Sequence, residues 1–249
     1  MSIKRIIALG CSWTYGDELI DPQFRHLNHL VVEEFRDHYD ANTPWRLSHC
    51  YAGLVANHFG LEFENCAFPG ASLESMRWTC NYIMQNYHDL DETLWLVGLT
   101  DATRVSWFNP QHEVSMKDPP WNRHVHSTWL AALNPDIDEN WFNLQKLWVA
   151  MCYHREWADY NHKMTVNLFD YVQYRTGATV IQFNVLPNVF GTTAPTLLYN
   201  DSSWQQILYE KQKRESIEPF ASGGHPNEKG HEIISKHLIE HIKYANIIA

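Results

Sequence analysis

The strongest constraint on this chain lies near its start. Ile3 to Leu9 is a short apolar run of the kind buried on both faces as a strand of a parallel sheet. It stops abruptly at Gly10-Cys11-Ser12-Trp13-Thr14-Tyr15-Gly16-Asp17. A hydroxyl just past the end of such a strand, between two glycines, stands outside the carboxyl edge of the sheet, where open α/β folds place their ligands. That is a position for a nucleophile, Ser12. The same residues also fit a plain strand-to-helix turn in which Ser12 or Thr14 caps the next segment. Phosphate-cradling G-x-x-x-x-G-K, dinucleotide-binding G-x-G-x-x-G and the G-x-S-x-G elbow are all absent from it.

The rest of the chain repeats the strand-then-helix rhythm. Ser48 to Phe59 carries Tyr51, Leu54, Val55, His58 and Phe59 at helical spacing, and Gly60 follows as a stop. Leu61 to Ala67 reads as a second strand, running through Asn65 to Gly70, and Ser72 caps a helix to about Gln85. Thr93 to Gly98 is a third strand leading into Leu99-Thr100-Asp101-Ala102-Thr103-Arg104. Asn140 to Tyr174 is helical in pattern and ends at Gly177, Ala178 to Leu186 is a fourth strand, and Glu228 to Ala245 is a terminal amphipathic helix. Such alternation predicts βαβ units with right-handed crossovers. The expectation is a single α/β domain over residues 1–249, interrupted by irregular or partly helical insertions at about 21–46, 109–138 and 188–220.

Composition removes several function classes. A net charge of −10 argues against nucleic acid or an anionic membrane as partner, because a phosphate-neutralising surface needs clustered Lys and Arg. No apolar stretch reaches membrane-spanning length, and Met1 to Leu9 is too short for a signal peptide. A soluble, cytoplasmic protein is expected, with self-association left open. Cys11, Cys50, Cys66, Cys80 and Cys152 form an odd set without a C-x-x-C pair, which fits reduced, buried thiols. The histidine pairs His124 and His126, His154 and His162, and His237 and His241 have no acidic or cysteine partner to complete a ligand set, so neither metal nor cofactor is expected.

Four blocks, Gly10-Cys11-Ser12, Asn65 to Gly70, Gly98-Leu99-Thr100-Asp101 and Gly224-His225-Pro226, each follow a strand or precede a helix, so a parallel sheet brings them to one edge. In this order, and along nearly the whole chain, they resemble the blocks of the SGNH (GDSL-type) hydrolases and acyltransferases. Cys11 stands where the family has Asp, Thr100 replaces the Asn of G-x-N-D, and Ser222 occupies the place of the Asp that orients the catalytic imidazole. The resemblance implies a three-layer αβα, flavodoxin-like sandwich, with Ser12 as nucleophile and His225 as general base. It also implies an oxyanion hole made by the Ser12 and Gly70 amides and the Thr100 side chain.

A serine at 222 cannot stabilise an imidazolium by charge. A bare Ser12–His225 dyad, a backbone carbonyl, or a carboxylate from Glu218, Glu215 or Asp201 could take its place, with Glu218 preferred. Arg104 can hold a substrate carboxylate or phosphate, or close a salt bridge within its own loop. Trp13 and Trp107 are candidates for the pocket wall, and Asp101 joins them as a substrate-binding candidate. The expected activity is a serine esterase or deacylase acting on small acyl esters, such as O-acetyl groups on carbohydrate. An O-acyltransferase using the same site, or a binding protein that has kept the fold and lost catalysis, are the rivals.

Overall fold

Apolar runs and glycine stops set the element boundaries. The computed structural model describes residues 2–27, 39–102, 104–108, 125–128, 155–187, 197–198 and 202–248. In chain order its elements are β1 (Arg5–Gly10), the single turn α1 (Ser12–Tyr15), α2 (Tyr39–His49), α3 (Tyr51–Phe59), β2 (Glu62–Asn65), α4 (Leu73–Asn86) and β3 (Thr93–Leu99). They continue with β4 (Val105–Phe108), β5 (Val125–Thr128), α5 (Arg155–Thr176), β6 (Thr179–Asn184), β7 (Leu197–Leu198), α6 (Trp204–Glu215) and α7 (Glu228–Tyr244). The main sheet has the order β2-β1-β3-β6-β7 and every pairing in it is parallel. A separate antiparallel ribbon joins β4 to β5.

The period-2 alternation of the strands sends successive side chains into two cores. Ile6, Ala8, Leu94, Leu96, Ile181 and Phe183 pack on α3, α6 and α7 through Val55, Trp204, Ile234 and Leu238. Ile7, Leu9, Trp95, Val97 and Val180 pack on α4 and α5 through Met76, Ile83, Val166 and Phe169. This is the expected three-layer αβα architecture. Each large apolar side chain so buried contributes roughly 1.5–3 kcal/mol.

Local signals in the sequence explain most of the caps. Ser72 accepts from the Ser75 N–H and closes a capping box at the start of α4, Gly60 ends α3 in the left-handed region at φ 66°, and Asn227 caps α7. Two expectations need correction. The helix expected from Ser48 is two helices, because Cys50 is extended (φ −66°, ψ 151°) and restarts the chain as the N-cap of α3. The region 188–220, read as irregular, contains the helix α6, opened by a capping box between Ser203 and Gln206. The insertion at 21–46 holds a 3₁₀ turn at Pro22–Leu27 and most of α2. Residues 140–154 of the expected long helix, and the 109–138 insertion apart from β5, lie outside the described residues.

The register brings Gly10 opposite Gly98 at the carboxyl end of β1 and β3. The Thr14 hydroxyl occupies the space over both glycines: a Cβ at Gly10 would stand 2.1 Å from Thr14 Oγ1, and one at Gly98 2.4 Å from it. Thr14 Oγ1 in turn accepts a hydrogen bond from the buried Tyr51 hydroxyl at 2.8 Å. Gly98→Ala is therefore expected to destabilise the fold by about 1–3 kcal/mol through overpacking, seen as a lower midpoint in urea unfolding at unchanged slope. An unchanged midpoint would contradict this packing.

Candidate active site

Ser12 opens α1, a turn that starts from the extended Cys11 and is closed by Gly16 in the left-handed region at φ 83°. Polar side chains hold this turn from outside. The Asn65 amide donates to the Thr14 and Tyr15 carbonyls at 3.3 and 3.4 Å. Arg46 donates to the Tyr15 carbonyl at 2.7 Å with its guanidinium 3.5 Å above the Tyr15 ring. Further along, Asn42 donates to the Leu19 carbonyl.

His225 enters from the other end of the chain. Its loop is closed by the backbone bonds Ala221 N–H to His225 O and Asn227 N–H to Pro219 O, and by the Asn227 amide, which donates to the Glu218 and Phe220 carbonyls. His225 Nε2 lies 2.9 Å from Ser12 Oγ. On the opposite side of the ring, Nδ1 lies 2.8 Å from Glu18 Oε2. A carboxylate can only accept, so these contacts assign the proton to Nδ1 and leave the Nε2 lone pair facing the serine hydroxyl.

Glu18 also accepts from the Gly223 N–H at 2.8 Å and the His225 N–H at 3.2 Å. Partial burial pushes its carboxyl up, but the His225 ring bond, the two backbone bonds and the histidine charge outweigh burial and leave it below the usual carboxylate range. Asp17 lies on the other side of the imidazole, its Oδ2 4.0 Å from Nε2, and burial raises its carboxyl against the pull of His225.

Glu218, the expected orienter, is not at the imidazole. It accepts from the Gln212 amide at 2.8 Å and from the Phe220 N–H at 3.4 Å on the exposed side of the loop. Glu215 pairs with Lys211, and Asp201 lies outside the described residues. Sequence reasoning missed Glu18 because it looked near the histidine. The available signal was the acidic pair Asp17-Glu18 directly after the Ser12 turn.

The other expected site residues divide. Gly70 adopts φ 75° in the turn after β2, which runs beside β1 through bonds from Cys66 N–H to Ala8 O and Phe68 N–H to Gly10 O. The Thr100 hydroxyl is buried and has no hydrogen-bond partner among the described residues. Arg104 donates to the Ala71 carbonyl at 3.4 Å and its N–H to the Asp101 carbonyl at 3.1 Å, so it ties the third-block turn, with the half-buried Asp101, to the second-block turn. Trp13, expected at the pocket wall, is instead 3% exposed and packs edge-on against Phe220 in the core. Trp107 stands on β4 opposite His126, and its side chain lies outside the described residues. Among the described residues no three His, Cys, Asp or Glu side chains are grouped to hold a metal.

A parallel sheet with helices on both faces, and the four blocks at its carboxyl edge, define an SGNH (GDSL-type) hydrolase fold. Among solved structures the chain is similar to a carbohydrate esterase whose active site is described as displaying divergent catalytic and non-catalytic binding functions. That match has 14% identity, covers 98% of this chain and 66% of the other, and has a TM-score of 0.50. An acetyl xylan esterase from the rumen bacterium Butyrivibrio proteoclasticus matches at 11% identity over 98% of this chain and 65% of its own, with a TM-score of 0.46. A protein assigned to the G-D-S-L lipolytic family, from Desulfitobacterium hafniense DCB-2, matches at 8% identity over 95% and 98%, with a TM-score of 0.39. The chain thus spans about two thirds of the length of the two esterases. No family model and no curated protein matches the sequence. Among the described residues no helix is long and apolar enough to cross a membrane.

Beneath the site, His231 is fully buried, with its ring stacked 5.8 Å from that of Tyr51. Its Nδ1 accepts the Tyr51 N–H at 3.1 Å, and burial, with the His225 charge behind it, depresses its pKa to about 3. Unfolded, the imidazole takes up its proton near 6.5; folded, it does so only near 3. Between these values the unfolded state holds the extra proton, so stability falls with falling pH, by up to about 1.4 kcal/mol per pH unit. Urea midpoints measured from pH 7 to pH 4 are expected to fall less steeply for His231→Asn than for the wild type. Parallel slopes would refute the assignment.

Proposed function

We propose that this chain is a serine ester hydrolase, one SGNH-like domain acting on small acyl esters, with O-acetyl groups on carbohydrate as the substrate class. The observation that carries the reading is the 2.9 Å contact between Ser12 Oγ and His225 Nε2. A serine hydroxyl is a weak nucleophile until a neighbouring imidazole takes its proton. In the proposed reaction His225 Nε2 accepts that proton as Oγ bonds to the ester carbonyl carbon. The carbonyl electron pair moves onto oxygen, and the oxyanion collapses with release of the alcohol, which leaves with the proton from Nε2. Water then enters, gives a proton to Nε2, attacks the acyl-serine and frees the acid, and the proton returns to Oγ.

The developing oxyanion requires donors aimed at it in advance. The amides of Ser12 and Gly70 take this part in the proposal, the first at the start of α1 and the second in the turn that runs beside β1. Thr100 joins them only where its buried hydroxyl is reached by the oxyanion. The substrate class is drawn from the carbohydrate esterase whose fold this chain shares, and the net charge of −10 suits a neutral acyl ester better than a polyanion.

Hydrolysis of p-nitrophenyl acetate and release of acetate from acetylated xylo-oligosaccharides test the two halves of the proposal. Ser12→Ala and His225→Ala are each expected to lower kcat/KM by at least about 10³-fold. A wild type as inert as Ser12→Ala on every ester, with or without an added acceptor alcohol, would leave a binding protein on this fold.

A further inference from the structure

We propose that Glu18 is the positioning carboxylate of His225, supplied by the nucleophile's own turn and not by the residue three positions before the histidine. The inference rests on the reading of Ser12 and His225 as the catalytic pair. Position 222 carries an exposed serine, which offers the imidazole no charge. Glu18 fills that role from six residues beyond Ser12, with Oε2 2.8 Å from Nδ1.

Two features mark the arrangement as built for this contact. Glu18 holds φ 64°, a left-handed conformation uncommon for residues other than glycine, and its carboxylate accepts from the Gly223 and His225 N–H groups. Gly223 supplies the second feature. A Cβ there would stand 2.6 Å from one Glu18 carboxylate oxygen and 2.7 Å from the other, so a side chain at 223 would push the carboxylate away from the position in which it accepts the Gly223 N–H. One carboxylate thereby fixes both the backbone and the ring of His225. Asp17 does not compete for this role, because it faces Nε2, the reacting side of the ring, at 4.0 Å. The buried His231 behind His225 stays neutral above pH of about 3, so among the described residues Glu18 and Asp17 are the charges that face the imidazole.

The test combines turnover with a titration that needs none. Glu18→Ala is expected to lower kcat on p-nitrophenyl acetate on the order of 10²- to 10⁴-fold with KM little changed, as loss of the orienting acid does in other triads. The double variant Glu18→Ala/Ser222→Asp is expected to recover at least about tenfold of that loss, by returning a carboxylate from the opposite side of the loop. Ser222→Ala alone should behave as wild type. In Glu18→Gln, which keeps the acceptor and loses the charge that favours the protonated ring, the His225 imidazole is expected to titrate at lower pH than in the wild type. The acid limb of kcat/KM should move down with it. Ring nitrogen resonances in histidine-labelled protein, assigned with His225→Gln, report the titration directly. Glu18→Ala within threefold of wild type, or an unmoved His225 titration in Glu18→Gln, would overturn the assignment. Equal activity of Ser12→Ala and wild type would remove the esterase reading alone, since the titration would still decide the place of Glu18.

Discussion

The close approach of Thr14 to Gly10 and Gly98 is the constraint on which the site depends. A strand leaving a parallel sheet normally runs on past its edge before a helix begins. Here α1 starts two residues after the last pairing of β1 and folds back so tightly that the Thr14 side chain rests on the backbone of the two central strands. Neither strand could have a side chain at that level. The Tyr51 hydroxyl bonded to Thr14 then locks the turn to α3, and the serine hydroxyl is held at the sheet edge with little freedom left. Preorganisation of this kind suits the role proposed for Ser12, since reacting groups lose their advantage when they must be ordered during the reaction.

The polar shell around the turn extends the same logic. Arg46, Asn65 and Asn42 spend their donors on the carbonyls of Thr14, Tyr15 and Leu19. These carbonyls point inward and lack strand or long-helix partners, and leaving such groups unpaired would cost about 1–3 kcal/mol each. Asn65 shows how the blocks cooperate. It sits at the end of β2 and its side chain supports the turn of the neighbouring strand, while its own strand extends beside β1 to present Gly70. The second block thus carries part of the first block's rigidity, and Arg104 stitches the third block's turn onto the second through Ala71.

Much of this was legible in the residues, for identifiable reasons. The strands β1 and β3 are apolar runs that stop at Gly10 and Thr100, and β6, apolar apart from Thr179, Gln182 and Asn184, is closed by Pro187. A parallel sheet buried on both faces is a place where such runs belong. Ser12 and His225 stood out because each adjoins glycine at the end of a periodic segment. The helix α6 was hidden by its composition: Gln205, Gln206, Glu210, Lys211, Gln212 and Lys213 give it a mostly polar surface, and Trp204 and Leu208 are its buried anchors. Glu18 was hidden for a different reason. Its contact with His225 spans 207 residues and depends on the left-handed backbone at 18 and the missing side chain at 223, neither of which leaves a periodic trace. Trp13 was misplaced because adjacency to Ser12 says nothing of which way a side chain turns, and this one turns into the core against Phe220.

The serine and the imidazole that meet at the sheet edge are separated by 213 positions. A chain emerging from the ribosome presents Ser12 long before His225. Until the loop carrying His225 docks, the Ser12 hydroxyl has no imidazole beside it and is an ordinary alcohol. Under the proposed Ser12–His225 reading, reactivity is therefore a property of the completed molecule, present only once those distant segments have closed on each other.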